Sequence, residues 1–242
     1  MNKIKYIVIY VMFLVSCTKD TDKALSTLAT YIQGRVIEQG AVIACAASDK
    51  DTGNILAFYY AKQGATNVGF YQTLNSAVNQ NDFGNYTKIE IDDEPVFNGY
   101  LKRFVQNSAT EKFIIITFEL DNEIKLSNPI RTKQISKPTV WNDNVMINQN
   151  NSGMPSFSWD DNPEGENAIY FQVISTVNND LLSGTYTYEN HFQYYDTSNV
   201  VLNITTTTPT NLNVNENYNF TLMDVSLDNW VNWVAQKPFI AK

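Results

Sequence analysis

Four carboxylates lie close together in the chain and are the residues best suited to chemistry. They are Asp160, Asp161, Glu164 and Glu166, in the run DDNPEGE. A carboxyl pair can hydrolyse a glycosidic bond when its members face each other across the substrate, roughly 5–10 Å apart. Carboxylates also bind Ca²⁺, although this run lacks the residue order of an EF-hand. Because all four lie on one expected loop, we favour a solvated surface loop, with Ca²⁺ binding as the alternative.

The single histidine and the two cysteines limit other chemistry. A Ser-His-Asp triad would have to use His191, yet no G-x-S-x-G turn presents a serine. Cys45 lies in an apolar run of small residues, where an unpaired cysteine is usually buried. A zinc site needs clustered Cys and His ligands, and a glycine-rich phosphate loop is missing. We therefore predict no catalytic residue, metal or cofactor, and no enzyme activity.

The other cysteine, Cys17, ends an apolar N-terminal segment. Lys3 and Lys5 precede apolar residues 6–15, which are too few for a membrane-spanning helix of roughly 20 residues and are typical of a secretory signal. The motif LVSC at residues 14–17 resembles the lipobox of bacterial lipoproteins. The resemblance implies cleavage before Cys17 and acylation of its thiol, for example by palmitate. Two or three acyl chains give stable anchoring.

This resemblance sets the expected N-terminal organisation and location. Residues 1–16 are predicted to be the signal peptide, and residues 17–30 a lipidated tether. The run TKDTD after Cys17 is similar to acidic signals that send some Gram-negative lipoproteins to the cell surface, although a plain solvated tether fits as well. We expect a lipid-anchored outer-membrane protein, facing either the periplasm or the cell surface.

The charge of the chain argues against one class of partner. The sequence has 17 Lys+Arg and 25 Asp+Glu. Removing residues 1–16 takes away two lysines, which leaves 15 − 25 = −10. An acidic surface repels phosphate backbones, so we expect no nucleic-acid partner.

Residues 31–135 show strand-like periodicity. Seven short runs of β-branched and aromatic residues alternate with Asn, Asp and Gly clusters, which predicts an Ig-like β-sandwich. The run FIIITF at residues 113–118 predicts a central strand buried on both faces, and Asp121-Asn122 predicts a hairpin turn. Residues 90–95, EIDDEP, are interpreted as an acidic turn. No window predicts an amphipathic helix of ordinary length.

Residues 136–242 carry a more specific pattern, after a polar, Asn-rich stretch that predicts a domain boundary near residue 136. Trp159 ends one expected strand, Tyr170 lies on the next, and Leu212 precedes Tyr218 by six residues. These positions resemble the fibronectin type III family, with its strand-B tryptophan, strand-C tyrosine and L-x-P-x-x-x-Y tyrosine corner.

The resemblance implies that Trp159 packs between the sheets and that the Tyr218 hydroxyl bonds back to the backbone. Val214 stands where the family usually has proline. The predicted fold is therefore all-β, with two consecutive sandwiches, Ig-like and then fibronectin type III-like.

Two aromatic runs, YTYENHFQYY and NWVNWV, could form a binding patch. Strand alternation places Trp230 and Trp233 on opposite faces, so we expect one of them to face outward. Tyr186 and Tyr188 are expected near a sheet edge. The alternative is that these rings fill the sandwich core.

Two classes of function remain open. The preferred one is a non-enzymatic, membrane-anchored envelope lipoprotein that acts as a binding, adhesion or scaffold module for an envelope protein. The alternative is a glycan-binding or glycan-active accessory lipoprotein that uses acidic loops and exposed aromatic rings.

Overall fold

The protein is nearly all β-structure in a computed structural model, which describes residues 27–205 and 209–242. Within these ranges there is one short α-helix, α1 (Leu28–Ile32), and one 3-10 helix (Phe83–Asn85). Neither of these helices is long and apolar enough to span a bilayer. The predicted signal peptide, Cys17 and residues 18–26 of the predicted tether lie outside the described residues.

The first ten strands form two sheets that face each other. The strands are β1 (Ile37–Val42), β2 (Ala44–Ser48), β3 (Ile55–Tyr59), β4 (Thr66–Gln72), β5 (Thr87–Ile89), β6 (Asp93–Val96), β7 (Leu101–Gln106), β8 (Phe113–Leu120), β9 (Glu123–Ser127) and β10 (Ile130–Arg131). Sheet 1 has the order β1-β9-β8-β4-β5, with β10 beside β8, and sheet 2 has the order β2-β3-β7-β6. We call this pair the first sandwich.

Strand β8 confirms the interpretation of FIIITF as a strand buried on both faces. Ile114 and Ile116 point into the core between sheets 1 and 2. Ile115 points to the other face, where it packs with Leu28 of α1 and Tyr86. Residues 27–30, placed in the predicted tether, are thus packed against sheet 1.

The predicted hairpin turn is also confirmed. Asp121 and Asn122 both have positive φ, 55° and 63°, and join β8 to β9 at the pair Leu120–Glu123. Two left-handed residues are what a type I′ hairpin turn requires.

The interpretation of residues 90–95 as a turn is wrong for residues 93–95, whereas residues 90–92 do connect β5 to β6 outside any strand. Asp93–Val96 forms β6, the edge strand of sheet 2. A proline can occupy an edge strand because its missing N–H faces away from the sheet, so Pro95 fits there. Asp93 accepts hydrogen bonds from Tyr59 and Lys102.

The remaining strands form the second sandwich. They are β11 (Val140–Asn142), β12 (Met146–Asn148), β13 (Ser156–Ser158), β14 (Asn167–Thr176), β15 (Leu181–Thr187), β16 (His191–Gln193), β17 (Leu202–Asn203), β18 (Asn217–Ser226) and β19 (Val231–Ile240). Sheet 3 has the order β11-β19-β18-β14-β15-β17, and sheet 4 has the order β12-β13-β16. Within sheet 3, β19-β18-β14-β15 correspond to strands G-F-C-C′, and sheet 4 corresponds to A-B-E, which is the strand arrangement of Ig-like and fibronectin type III-like sandwiches. The predicted fold class is confirmed.

Sheets 2 and 3 pack directly on each other, so the four sheets form one stack. The shared apolar cluster contains, from sheet 2, Cys45, Ala47, Leu56, Phe58 and Leu101, and, from sheet 3, Phe171, Val173, Met223, Val225 and Val234. Hydrogen bonds reinforce the contact: Ser48 and Thr139 each donate a backbone N–H to the other's hydroxyl, at 2.8 and 2.7 Å. Domains move relative to one another unless their interface is large and hydrophobic. This interface therefore joins the sandwiches into one rigid unit.

The second half of the chain also supplies a residue to the core of the first sandwich. Trp230 precedes β19, yet its fully buried ring belongs to the cluster between sheets 1 and 2. Its Nε1 donates to the carbonyl of Lys137 at 2.9 Å, and the neighbouring Asn229 carbonyl accepts from the Ala46 N–H at 3.0 Å. The two sandwiches are thus interlocked as well as stacked.

Candidate functional site

The acidic run at residues 160–166 forms the loop between β13 and β14, and this loop rests on the chain that joins the two sandwiches. Glu166 lies 3.3 Å from Lys133 and 3.2 Å from Lys137. Hydrogen bonds from these two ammonium groups lower the pKa of Glu166, and the bond from Lys137 has the larger effect. Asp161 accepts from the Tyr170 hydroxyl at 3.2 Å, whereas Asp160 and Glu164 are exposed.

These four carboxylates do not converge on one point. Across residues 27–205 and 209–242, no group of three His, Cys, Asp or Glu side chains is placed to hold a metal ion. The loop is therefore more than a solvated surface loop, because Glu166 forms ion pairs with Lys133 and Lys137 of the segment that joins the two sandwiches.

The expected outward-facing tryptophan is not found. Trp230 and Trp233 are 0 % and 2 % exposed. Trp233 lies in the core between sheets 3 and 4, whereas Trp230 lies in the core of the first sandwich. The alternation argument failed because a different layer covers each ring: sheet 4 covers Trp233, whereas Trp230 precedes β19 and lies between sheets 1 and 2.

The two tyrosines of the predicted patch are separated as well. Tyr186 packs on Phe171 with ring centroids 4.5 Å apart, beside the interface between sheets 2 and 3. Burial raises its pKa well above the ordinary value. Tyr188 is 65 % exposed. Only one of the four rings therefore offers a free face, and the four residues do not form a patch.

The four residues of the fibronectin type III resemblance lie together in the second sandwich. Trp159 and Tyr170 make an edge-to-face contact at 5.2 Å inside the core, which also contains Leu212. The backbone N–H of Asn213 donates to the Tyr218 hydroxyl at 3.0 Å. That bond has the geometry of a tyrosine corner, formed here without the usual proline.

His191 and Cys45 are not positioned to act as a general base and a nucleophile together. His191 is exposed and lies 3.0 Å from Glu189 at the surface of sheet 4. Cys45 is buried in the apolar cluster between sheets 2 and 3, and burial raises its pKa to about 12. A thiol with that pKa is not ionised at neutral pH and is a poor nucleophile.

Two clefts lie at the junction of the two sandwiches, and no sequence pattern predicted them. The turn at residues 227–230, between β18 and β19, reaches over the first sandwich. On one side of Leu227 and Asp228 lies a cleft of about 440 Å³, and on the other a cleft of about 370 Å³. Leu227 itself is 90 % exposed. Small-molecule sites commonly enclose about 300–1,000 Å³.

The larger cleft is lined mainly by side-chain amides from distant parts of the chain. The lining residues are Gln39, Gln80, Asn81, Asn128, Pro129, Leu227, Asp228 and Asn229. The first four are exposed, so their amides can donate and accept hydrogen bonds. Asp228, the one charged member, is already engaged by Lys133 at 2.7 Å and by the Ser226 hydroxyl at 2.6 Å. The free chemistry of this cleft is thus neutral hydrogen bonding beside an apolar side chain.

The smaller cleft is charged. It is lined by Arg131, Lys133, Glu166, Asn167, Ser226, Leu227 and Asp228. Sequence reasoning missed both clefts because their residues come from separate turns and strand ends with no common spacing.

Comparisons with known proteins leave the chain unassigned. No protein-family description and no curated protein matches it. Among solved structures, the interferon gamma receptor alpha chain of chicken is similar over 82 % of this chain and 96 % of its own, with 9 % identity and a TM-score of 0.24. The fibronectin(III)-like modules of Clostridium thermocellum CbhA are similar over 86 % and 90 %, with 10 % identity and a TM-score of 0.24. At these TM-scores neither similarity carries an inference.

Proposed function

We propose that this protein is a non-enzymatic envelope lipoprotein whose stacked sandwiches form a rigid binding module, with the junction clefts as its binding face. The supporting observation is that both sandwiches contribute to the larger cleft. Gln39 and Asn128 come from sheet 1 and its border, whereas Leu227 and Asn229 come from the β18–β19 turn.

Interlocking of the sandwiches supports a preformed cleft. The Trp230 ring is fixed in the first core directly after the turn that carries Leu227. The Asn229 amide donates to the Pro129 carbonyl at 3.4 Å. A preformed site loses less conformational entropy when its partner binds.

The anchor in this proposal is the acylated Cys17. Thr27, the first described residue, follows Cys17 by ten positions. A fully extended segment of that length spans at most roughly 35 Å. The module would therefore stay close to the outer membrane, on its periplasmic or external side, and its partners would be envelope components.

Anchoring is tested by replacing the acylated residue. We expect wild-type protein to incorporate a labelled fatty acid and to partition into detergent, and Cys17→Ala to do neither. Incorporation of the label in the Cys17→Ala variant would refute lipidation at this residue.

Site-specific photocrosslinking in intact cells tests the binding face. A crosslinking amino acid at Leu227 is expected to capture a defined envelope partner. The matched control is Val177, an aliphatic residue that is 58 % exposed. Val177 follows Thr176, which pairs with Tyr218 at one end of sheet 3. Ser226, next to Leu227, lies at the other end of that sheet. Equal capture at both positions, or none at Leu227, would contradict the proposal.

Glycan binding is the second candidate, and the amide lining of the larger cleft is the observation that favours it. Side-chain amides present donors and acceptors that match neutral hydroxyl groups. The two tryptophans expected to contact a glycan are not accessible, because Trp230 and Trp233 are buried. The acidic loop is engaged as well, because Glu166 forms ion pairs with two lysines.

A glycan array separates this candidate from protein binding. We expect a bound glycan to be lost in the Gln80→Ala/Asn81→Ala variant and kept in Asn178→Ala, a change at the opposite end of sheet 3. If the wild-type protein binds no glycan on the array, the glycan candidate is rejected and binding of a protein partner remains the proposed function.

A further inference from the structure

Strand β1 forms an open edge of sheet 1. It pairs with β9 on one side, and no described strand lies on its other side. The Val36 carbonyl accepts from the Ile124 N–H, so the backbone groups of Val36 face β9. Backbone groups alternate sides along a strand, and those of Ile37 and Gln39 therefore face away from the sheet. Val36, Ile37 and Gln39 are all exposed.

The other sheet edges within residues 27–205 and 209–242 are protected. On sheet 1, Thr27 bridges Thr87 of β5. On sheet 2, the Ala46 N–H of β2 donates to the Asn229 carbonyl, and β6 contains Pro95. The edge strands of sheets 3 and 4 are two or three residues long. Short strands, prolines and covering segments prevent the addition of a further strand, whereas β1 has six residues and no proline.

The open edge is continuous with the larger junction cleft. Gln39 presents its backbone at this edge, and it also lines the cleft. In the register with β9, Ile37 and Gln39 lie opposite Ile124 and Leu126, which belong to the apolar cluster on the outer face of sheet 1. A strand added beside β1 would therefore place alternate side chains next to Ile37 and Gln39, and its end beside Gln39 would enter the cleft.

The charge of Glu38 restricts what can pair with this edge. Its carboxylate lies 2.6 Å from the Lys125 ammonium, and its side chain is still 57 % exposed. A second copy of the chain fits poorly. An antiparallel pair that used Ile37 and Gln39 of both copies would set Glu38 opposite Glu38, and like charges directly opposite each other are destabilising. A basic residue opposite Glu38 would be favourable for the same reason.

We propose that β1 accepts an extended segment of a partner protein as an additional strand of sheet 1. The inference rests on the proposed binding module and names the chemistry of its partner. The pairing is antiparallel, because that arrangement is the more stable one per residue. The segment has a hydrogen-bonding side chain opposite Gln39, a basic one opposite Glu38 and an apolar one opposite Ile37. Main-chain hydrogen bonds provide the affinity, and these three side chains provide the specificity.

A synthetic peptide tests this pairing on the full-length protein in detergent. The probe is fluorescein-labelled Ser-Ser-Thr-Lys-Val-Thr-Ser-Ser, in which Thr-Lys-Val would lie opposite Gln39, Glu38 and Ile37. The matched control peptide carries N-methyl groups on the threonine before the lysine and on the valine after it. It keeps every side chain but lacks the two N–H groups that would donate to the Gln39 and Ile37 carbonyls.

Binding of the two peptides is compared by fluorescence anisotropy. N-methylation should weaken binding by about tenfold or more, because two main-chain hydrogen bonds are lost. Equal binding of the two peptides would overturn the proposal, and so would no binding of the unmodified peptide at concentrations up to about 1 mM.

Gln39→Pro is the corresponding change in the protein. It removes an N–H that faces away from β9, so Tm should stay close to that of the wild type, whereas peptide binding should be strongly reduced. Gln39→Ala keeps this N–H and should retain most of the binding. Equal binding by the two variants would place the peptide elsewhere and overturn the proposal.

Photocrosslinking at Leu227 distinguishes a failure of this inference from a failure of the proposed function. Capture of an envelope partner without peptide binding would keep the binding module and overturn strand addition. Peptide binding that depends on Gln39, without capture at Leu227, would contradict the proposed binding face and keep β1 as the acceptor strand. A dimer in light scattering that Gln39→Pro abolishes would make a second copy the occupant, which also overturns the proposal.

Discussion

The two sandwiches share one strand plan but differ in how their faces are covered. In each, the first strand runs parallel to a strand near the C-terminal end of the sandwich: β1 beside β9, and β11 beside β19. In each, the second strand then pairs antiparallel with the third, in the opposite sheet. The first sandwich is covered outside sheet 1 by α1 and the 3-10 helix, and outside sheet 2 by sheet 3. Sheet 4 of the second sandwich has one face open to solvent.

This difference explains two kinds of strand sequence. Strand β8, covered on both faces, is a continuous apolar run from Phe113 to Phe118 in which Thr117 is the one polar residue. Strands β13 and β16, covered on one face, read Ser-Phe-Ser and His-Phe-Gln, with only the central phenylalanine buried. In both sandwiches, the alternation of apolar and polar residues along a strand therefore indicates whether one or both faces of that strand are covered.

The largest expected effect comes from Trp230→Ala, which breaks the interlock between the sandwiches. Removing a buried tryptophan ring costs about 3–5 kcal/mol, and here the cavity opens in the first sandwich. We expect the free energy of unfolding, measured by chemical denaturation, to fall by that amount. Limited proteolysis should cut first between residues 37 and 131.

Trp233→Ala is the matched control for that prediction. It removes a ring of the same size from the core between sheets 3 and 4, so early cuts should fall in residues 140–240. The same cleavage pattern in both variants would show that Trp230 does not act across the junction.

Tyr218→Phe is expected to have a smaller effect, confined to the second sandwich. The change removes the hydroxyl that accepts from the Asn213 N–H and leaves the ring in place. A hydrogen bond of this kind contributes about 0.5–1.5 kcal/mol. Denaturation should show a loss of about 1 kcal/mol, whereas Tyr188→Phe, at a 65 % exposed ring, should show none.

Glu119→Gln should give the smallest effect, at the outer cover of the first sandwich. Hydrogen bonds from Arg35 and Tyr31 lower the pKa of Glu119 to about 2, from an ordinary value of 4.5. Because the folded pKa is the lower one, the stabilisation is fully present above about pH 4.5 and is lost as the pH falls towards 2.

The wild type should therefore have a higher Tm than Glu119→Gln at pH 7, by a few degrees at most, because solvent screens this exposed ion pair. The difference should vanish near pH 2. A difference in Tm that does not change with pH would assign the effect to packing instead of charge.

Local patterns predicted the parts of the fold that depend on neighbours in sequence. The Asp121-Asn122 turn and the double burial of FIIITF both follow from residues within a few positions of each other. Strand β6 was missed because Pro95 and its acids match a turn, and only the pairing with β7 makes them an edge strand. The expectation of an outward tryptophan was wrong because the residues that bury Trp230 come from the two sheets of the first sandwich, far away in the chain. The junction clefts combine residues near positions 39, 80, 128 and 228, a long-range arrangement that no local pattern encodes.

The position of Trp230 has a consequence for the order in which the protein can mature. Domains emerging from the ribosome generally fold as units, the N-terminal one first. Here the first sandwich ends at Arg131, and the ring that completes its core follows 230 − 131 = 99 residues later. Until the β18–β19 turn has been synthesised, the core of the first sandwich lacks this ring, so we expect the N-terminal half to reach its full stability only after nearly the whole chain has been made.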